Sequence, residues 1–331
     1  MENYLPQCLD SLLIPELSRI EILVINDGSK DRTSEIAHEY ELRYPGSIRV
    51  IDKENGNYGS CINTGLKILK GKYVKILDAD DSFDKDTFSR YVEFLNVTDA
   101  DAVINDHVVV TPRYEVTETH SFKMLKPNIC MLTDDMMDIF PFQEISMHGI
   151  AYRSSIFKDL DYHQTEGISY TDDEWIFSPL TKVNTVAYFP LPLYRYLLGR
   201  DGQTVNESTL QRNIHHISIT LMKMLEIYHG SAGLGAFQDK YLKERIERKA
   251  VMLYTICILT SQKNISFNLS KFDSELKTKY PDLYMLIEDF SIRALMIMNI
   301  KYAKVWRKSG AKAIQLRMLR LWIEIKKKLK I

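Results

Sequence analysis

The stretch Lys72-Tyr73-Val74-Lys75-Ile76-Leu77-Asp78-Ala79-Asp80-Asp81 constrains this chain more than any other. Val, Ile and Tyr favour a pleated, half-buried segment, so the run predicts a short strand. An unpaired buried charge is very costly. The strand therefore ends near Leu77 and leaves Asp78, Asp80 and Asp81 at its mouth. Two carboxylates one residue apart on extended backbone can turn toward one cation. A hard divalent ion that keeps some water and holds phosphate oxygens needs only one or two of them. The cluster thus reads as a metal and nucleotide-diphosphate site. The alternative is a solvated turn leading to a helix N-cap. Asp84 suits that role, ahead of the helical spacing Phe88, Tyr91, Val92 and Leu95. A calcium loop of the EF-hand type does not fit, because its sixth and twelfth positions, counted from Asp78, hold Phe83 and Ser89 rather than Gly and Glu.

The residues before this stretch supply a sheet for it. Tyr4, Leu5, Cys8, Leu9, Leu12 and Leu13 share one helical stripe. Glu21-Ile22-Leu23-Val24-Ile25 is a near-continuous apolar run suited to a parallel strand buried on both faces, and it ends in the turn sequence Asn26-Asp27-Gly28-Ser29. A helix follows with Ile36, Ala37, Tyr40 and Tyr44 inward, then a strand over 47–52. The glycine-punctuated loop Asn55-Gly56-Asn57-Tyr58-Gly59-Ser60 leads into a helix marked by Ile62, Leu66 and Leu69. This alternation predicts a mostly parallel, Rossmann-like α/β sheet with right-handed crossovers and flanking helices. Ligands in open α/β sheets bind beyond the carboxyl ends of the strands. Asp27 and the Asp78 cluster both fall there, which favours the binding reading over the turn-and-cap reading.

Beyond Ala100 the pattern changes. Ala102-Val103-Ile104 predicts a strand, 107–118 an antiparallel ribbon, and 119–146 irregular structure. Residues 149–153 predict a strand with His148 just before it. Thr171-Asp172-Asp173-Glu174 places acids at the start of a helix carrying Trp175, Ile176 and Leu180, where carboxylates are commonly caps and dipole partners. Val186-Ala187-Tyr188-Phe189 and Leu193-Tyr194-Arg195-Tyr196 read as separate strands, followed by a polar loop over 199–204. After Val205 strand signals stop. Helical periodicity covers 210–229, 236–262, 281–300 and 311–330. The expected organisation is a catalytic domain over 1–205, divided at about residue 100 into a nucleotide-binding and an acceptor part, and a helical region over 206–331. In the last helix Ile314, Met318, Leu321, Trp322, Ile325 and Leu329 form a stripe among Lys312, Arg317, Arg320, Lys326, Lys327, Lys328 and Lys330, with Glu324 the only acid. Such a helix either lies on an anionic membrane surface or packs on its own domain with a solvated basic face.

Composition narrows the classes further. A net charge of −1 over 331 residues gives no case for nucleic-acid binding. Cys8, Cys61, Cys130 and Cys257 are scattered without CxxC spacing and read as free thiols in a reducing compartment. The start carries no basic region followed by an apolar core, and no apolar run reaches the ~20 residues a membrane span needs. A cytoplasmic location follows as the expectation, at the inner face of the membrane if the last helix binds there.

Four stretches together resemble family 2 of the nucleotide-sugar glycosyltransferases, inverting enzymes with the GT-A fold. They are residues 4–12 (YLPQCLDSL), 21–31 (EILVINDGSKD), 57–66 (NYGSCINTGL) and 71–81 (GKYVKILDADD), with weaker similarity at 170–172 and 194–196. The resemblance covers about residues 1–205. It implies that Asp27 contacts the nucleoside, usually uridine, with Gly28, Ser29, Asn57, Gly59 and Asn63 in the same donor site. It implies that Asp78 and Asp80 form the DxD pair, with Asp80 a direct ligand of Mn2+ or Mg2+, Asp78 nearer the ribose, and Asp81 in support. Asp172 takes the place of the general base. Thr171 departs from the family's Glu at the preceding position, which leaves Asp173 as a substitute. His148, Arg200 and Gln203 are candidate contacts to acceptor or diphosphate. Family members begin with a further strand and a Pro-x-Tyr-Asn turn ahead of the helix that opens this chain.

The implied function is metal-dependent, inverting transfer of a sugar from a UDP-sugar to a hydroxyl of a glycan or lipid-linked acceptor, in surface-polysaccharide assembly. A nucleotidyltransferase and a catalytically degenerate binding or scaffolding relative are the alternatives. A dehydrogenase does not fit, because no strand is followed by GxGxxG.

Overall fold

The computed structural model describes residues 1–127, 129–136, 145–200, 203, 207–259, 267–290, 292–294 and 298–329. It divides into two compact units, Met1–Gln203 with Gly230–Tyr241, and Thr204–His229 with Leu242–Ile331.

The first unit is built from alternating strands and helices. Helix α1 (Leu5–Asp10) buries Leu5, Cys8 and Leu9. Strand β1 (Ile22–Asp27) pairs in parallel with β2 (Ile48–Lys53) across helix α2 (Thr33–Arg43), with Asp27 opposite Lys53 at the carboxyl end. Helix α3 (Asn57–Ile68) leads to β3, which is paired only over Tyr73–Val74. The expected strand thus stops well short of Leu77. Strand β4 (Ser82–Phe83) and helix α4 (Lys85–Val97) follow. The expected N-cap is present: the Asp84 carboxylate accepts from Thr87 N at 3.1 Å.

The larger sheet runs β3-β8-β5-β9-β4, with β6 on β5 and β7 on β9. Its centre is β5 (Ala102–Val110), buried at all nine positions. On it lie β6 (Val116–His120), β8 (Ile150–Arg153) and β9 (Thr185–Leu197), with β7 (Cys130–Leu132) on the far side of β9. Among the described strands of this sheet the β5–β9 pairing is parallel and the others are antiparallel, so the sheet is mixed. The two strands expected between 186 and 196 are one, with a register shift opposite Asn105–Asp106. Pro190 and Pro192 account for it, since proline cannot donate to a ladder. The antiparallel ribbon expected over 107–118 is the β5–β6 pair, which reaches His120, and Cys130–Leu132 brings strand into the range expected to be irregular, part of which (128 and 137–144) lies outside the described residues. Helix α5 (Ser155–Asp159) and helix α6 (Asp172–Leu180) complete the packing, and α6 buries Trp175, Ile176, Phe177 and Leu180.

The remaining elements are mainly helical: α7 (Glu207–Arg212), α8 (Ile214–Gly230), α9 (Ala236–Leu259), α10 (Leu269–Lys279) and α11 (Pro281–Ile287). The helix expected over 281–300 is corrected. After α11, β10 (Ile292–Ala294) and β11 (Met298–Ile300) pair antiparallel. A short apolar run is compatible with either period, and here pairing decides it. Helices α12 (Tyr302–Ser309) and α13 (Ile314–Leu329) end the chain. In the second unit Arg307 bonds both oxygens of the buried Asp273 and stacks 3.6 Å from the ring centroid of Tyr284. In α13 the buried positions are Leu316 and Leu319, whereas Ile314, Met318 and Leu321 of the expected stripe are 74%, 50% and 58% exposed. The expected helical residues 260–262, the side chains of Ile325, Lys327, Lys328 and Leu329, and Lys330 lie outside the described set.

Candidate active site

Two loops at the carboxyl ends of β1 and β2 carry the first group of expected residues. The Asp27 carboxylate accepts from Lys53 Nζ at 2.6 Å and from Gly56 N at 2.9 Å, and Asn55 Nδ2 donates to the Asp27 carbonyl at 3.1 Å. Gly28 turns the chain at φ +69°, a region that favours glycine. Ser29 N donates to Asn26 Oδ1 at 3.2 Å, an Asx-type turn. Asn57, also at positive φ, opens α3.

Gly59 and Asn63 face a different neighbour. A Cβ on Gly59 would lie 2.0 Å from Thr165 O, so only glycine allows α3 this close to the segment before α6. Asn63 Nδ2 donates to Gln164 O at 2.9 Å and Glu166 Oε1 at 2.8 Å, and its Oδ1 accepts from Gln164 N at 2.8 Å. Gln164 in turn donates to Thr171 O and Oγ1, and Thr165 N donates to the buried Glu174. These two residues therefore hold the turn carrying Asp172 and Asp173 against α3.

The acidic loop divides in two. Asp81 is buried and pinned to β9: Tyr194 Oη donates to its Oδ2 at 2.6 Å and Leu197 N to its Oδ1 at 2.7 Å. Asp80 points the other way and accepts from Arg200 Nε at 2.5 Å. Arg200 also lies over the Tyr4 ring at 5.5 Å. Ligand atoms of Asp78, Asp81 and His148 all fall within 4.8 Å of one another. His148 sits in the 3-10 turn Met147–Gly149, stacked on Tyr196 at 4.4 Å. The geometry thus joins Asp81 and His148 to Asp78, where the sequence pointed to Asp80.

Burial governs the protonation of this group. It raises the Asp78 carboxyl well above the usual range, and the charges of Asp81, Asp80 and Asp172 push the same way while Arg200 opposes them. Burial also moves Asp81 up to about 7, against the pull of its bonds from Tyr194 and Leu197. The His148 imidazole is pushed down to about 3 by burial and by Lys75 and His120, so it is neutral and able to ligate. Clustered carboxylates that resist ionisation on their own are the environment a divalent cation reverses. Two hard oxygens with one imidazole suit Mn2+ and Mg2+, the imidazole suiting Mn2+ better.

Asp172 is exposed in the first turn of α6, and its charge reaches Asp78, Tyr58 and Tyr196. Asp173 follows in the same turn. Gln203 closes the loop after β9: Gly199 N donates to its Oε1 at 2.8 Å and its Nε2 donates to Leu197 O at 2.6 Å. The rest of that polar loop, Asp201, Gly202 and Thr204, lies outside the described residues.

One participant was missed. Lys75 is partly buried beside the cluster, donating to His148 O at 2.8 Å, Asn105 Oδ1 at 2.9 Å and Ile150 O at 3.2 Å. A lysine between Val74 and Ile76 was the available signal, since a charge inside an apolar run needs a reason.

Residues 2–161 match the family model Glycosyl transferase family 2. An uncharacterized glycosyltransferase of Rickettsia typhi is 32% identical over 214 residues, 63% of this chain and 64% of that protein. The chain thus spans a little under two thirds of that relative's length. TarS of S. aureus, solved in complex with UDP, matches at TM-score 0.58 and 16% identity over 100% of this chain and 89% of that one. The mannosyltransferase PcManGT of Pyrobaculum calidifontis, in complex with GDP-Man and Mn2+, matches at TM-score 0.51 and 15% identity over 97% and 83%. The match to glycosyl transferase family 2 thus covers residues 2–161, a little under half of the chain, and the fold is similar to that of the GT-A type structure of TarS.

Proposed function

We propose that this protein is a metal-dependent, inverting glycosyltransferase that takes a nucleotide sugar, UDP-linked, and glycosylates a hydroxyl of a glycan or lipid-linked acceptor. The observation that carries the reading is the Asp78, Asp81 and His148 donor set within the field of Asp172, in a family 2 domain. The UDP and GDP-Man bound by the two structural neighbours support a nucleotide-sugar donor.

Asp78, Asp81 and His148 would hold the cation, whose chemistry is to neutralise charge on the departing diphosphate. Arg200, beside Asp80, adds a fixed positive charge to the same cluster. Asp27, ordered by Lys53 and Gly56, orients the nucleoside at the carboxyl end of β1. Asp172 accepts the acceptor hydroxyl proton as that oxygen attacks the anomeric carbon. One displacement inverts the centre, and no covalent sugar intermediate forms. Gly59 and Asn63 act on the donor site indirectly, by holding the Asp172 turn.

Calorimetry with UDP and Mn2+ tests the assignment. Asp81→Asn abolishes cation-dependent UDP binding, and Asp80→Asn, which loses only its partner Arg200, weakens it less. Wild-type protein that binds UDP equally well in chelator and in Mn2+ would overturn the metal reading.

The surface of α13 favours peripheral membrane contact. Ile314, Met318 and Leu321 are exposed between the exposed Lys312, Arg317 and Lys326. No helix among the described residues is long and apolar enough to cross a membrane. On this reading the enzyme meets a lipid-linked acceptor at the inner face of the membrane.

A further inference from the structure

His38 of α2 lies between two carboxylates. Its Nε2 is 2.8 Å from Asp52 Oδ2 on β2, and its Nδ1 is 2.8 Å from Glu41 Oε2 on its own helix. A neutral imidazole has one N–H and donates to one of them; only the imidazolium donates to both. The bonds to Asp52 and then to Glu41 raise the ring's pKa above its ordinary value, and burial pulls weakly the other way. The cations nearby are engaged elsewhere: Lys53 of β2 on Asp27, and Arg32 on Glu35 and Arg43 on Glu39 along α2.

Both carboxylates are tied in turn to the small sheet. Glu41 Oε1 accepts from Val50 N at 2.8 Å. Asp52 Oδ1 accepts from Ser34 Oγ at 2.8 Å and from Asn26 Nδ2 at 2.6 Å. These bonds from Asn26, His38 and Ser34 hold the Asp52 carboxyl down at about 2. The bond from Asn26 also fixes which way that buried amide faces. With its nitrogen on Asp52, its oxygen is turned to accept from Ser29 N, at 3.2 Å. That bond closes the turn at 26–29 that carries Asp27.

We propose that His38 is a positioning residue for the nucleoside turn: as imidazolium it holds Asp52, Asp52 holds the Asn26 amide, and the amide holds the turn that presents Asp27 and Ser29. The link to donor binding rests on the proposed function; the clamp on the turn does not. When the ring loses its proton, Asp52 and Glu41 compete for the one N–H left, and the other carboxylate faces a lone pair. The hold is therefore complete below the ordinary imidazole value and is lost as pH rises through the raised one. Nucleotide affinity falls with it.

The test measures UDP binding with Mg2+ by calorimetry, from about pH 6 to about pH 8.5, around the ordinary imidazole value. Wild type is compared with His38→Arg, which keeps a fixed charge, and His38→Gln, which has none. Titration of Asp78 and Asp81 is common to all three and cancels in the ratios of their affinities. Wild type matches His38→Arg at the acid end and falls to the His38→Gln level at the alkaline end. The change is about threefold, the scale of an ion pair whose side chains are 43% and 49% exposed. Asp52→Ala erases the differences among the three. Ratios that stay constant with pH overturn the proposal, and so does an Asp52→Ala background that preserves them. Nuclear magnetic resonance of the unliganded protein reads the clamp without nucleotide: the Ser29 amide shifts with the titration of the His38 ring, and the shift is absent in His38→Arg. A ring that titrates at or below about 6.5, or a Ser29 amide that ignores it, overturns the proposal. If no form binds UDP at any pH while the Ser29 amide follows the ring, the clamp stands and the donor reading alone fails.

Discussion

The hydroxyl of Tyr194 donates to Asp81 Oδ2 at 2.6 Å and accepts from Asp78 N at 3.2 Å, while its ring lies 4.7 Å from His148. One side chain from β9 therefore positions all three members of the candidate cation site. Tyr194→Phe keeps the ring and its edge contact with Phe83 but removes both hydrogen bonds. Losing hydrogen bonds that hold metal ligands in place typically costs ~10–100-fold in metal affinity. The variant is expected to fold and to bind Mn2+ weaker by that order in calorimetry. Unchanged Mn2+ affinity would separate Tyr194 from the site.

Asp172→Asn is expected to bind donor nearly normally and to lose transfer by ~10²-fold or more, the usual scale of general-base catalysis. The measurement is single-turnover transfer beside donor affinity. If Asp173→Asn is the inactive variant and Asp172→Asn is active, the base is the next residue of the same turn.

Much of the framework was legible because local chemistry decided it. The apolar run at 22–25 formed a strand, the Asp84 cap formed where a cap was needed, and Asp172 fell in a first helical turn. The division of the acidic loop was not legible. Asp80 and Asp81 are adjacent, yet their partners Arg200 and Tyr194 lie more than 100 residues away and only the folded β9 brings them in. The same holds for Asn63, which sequence marked as a donor contact and whose amide meets residues 164–166. The strand pair 292–294 with 298–300 escaped because its apolar run is too short for period to choose.

Lys75 sets a pH dependence. Burial lowers its ammonium to about 7, from an ordinary value of 10.5. Below pH 7 both folded and unfolded chains carry the proton and the burial penalty is present in full. Between 7 and 10.5 the unfolded chain binds more protons than the folded one, so stability rises with pH. Lys75→Met removes this contribution. In chelator, wild type is expected to gain Tm relative to the variant between pH 6 and pH 9. Parallel Tm curves for the two proteins across that window would show that the buried amine keeps its charge.

The last prediction concerns α13. A helix that served only as core would turn its apolar stripe inward. Here Leu316 and Leu319 are buried, while Ile314, Met318 and Leu321, at spacings of four and three, face solvent. Trp322 adds an amphipathic ring, with Lys326 Nζ 4.9 Å from its centroid. Lys and Arg near an anionic surface contribute about 1 kcal/mol each, and salt screens that attraction. Because the exposed positions are distinct from the buried ones, they can be changed without opening the fold. Met318→Glu with Leu321→Glu is expected to leave Tm within about 1–2 °C, as exposed substitutions usually do. The same variant is expected to lose sedimentation with vesicles containing phosphatidylserine at low salt. Wild-type protein should sediment with them and be released by high salt. Wild-type protein that stays in the supernatant at low salt, or a double variant that sediments as wild type does, would remove the membrane from the reading and leave α13 with a solvent-exposed apolar face.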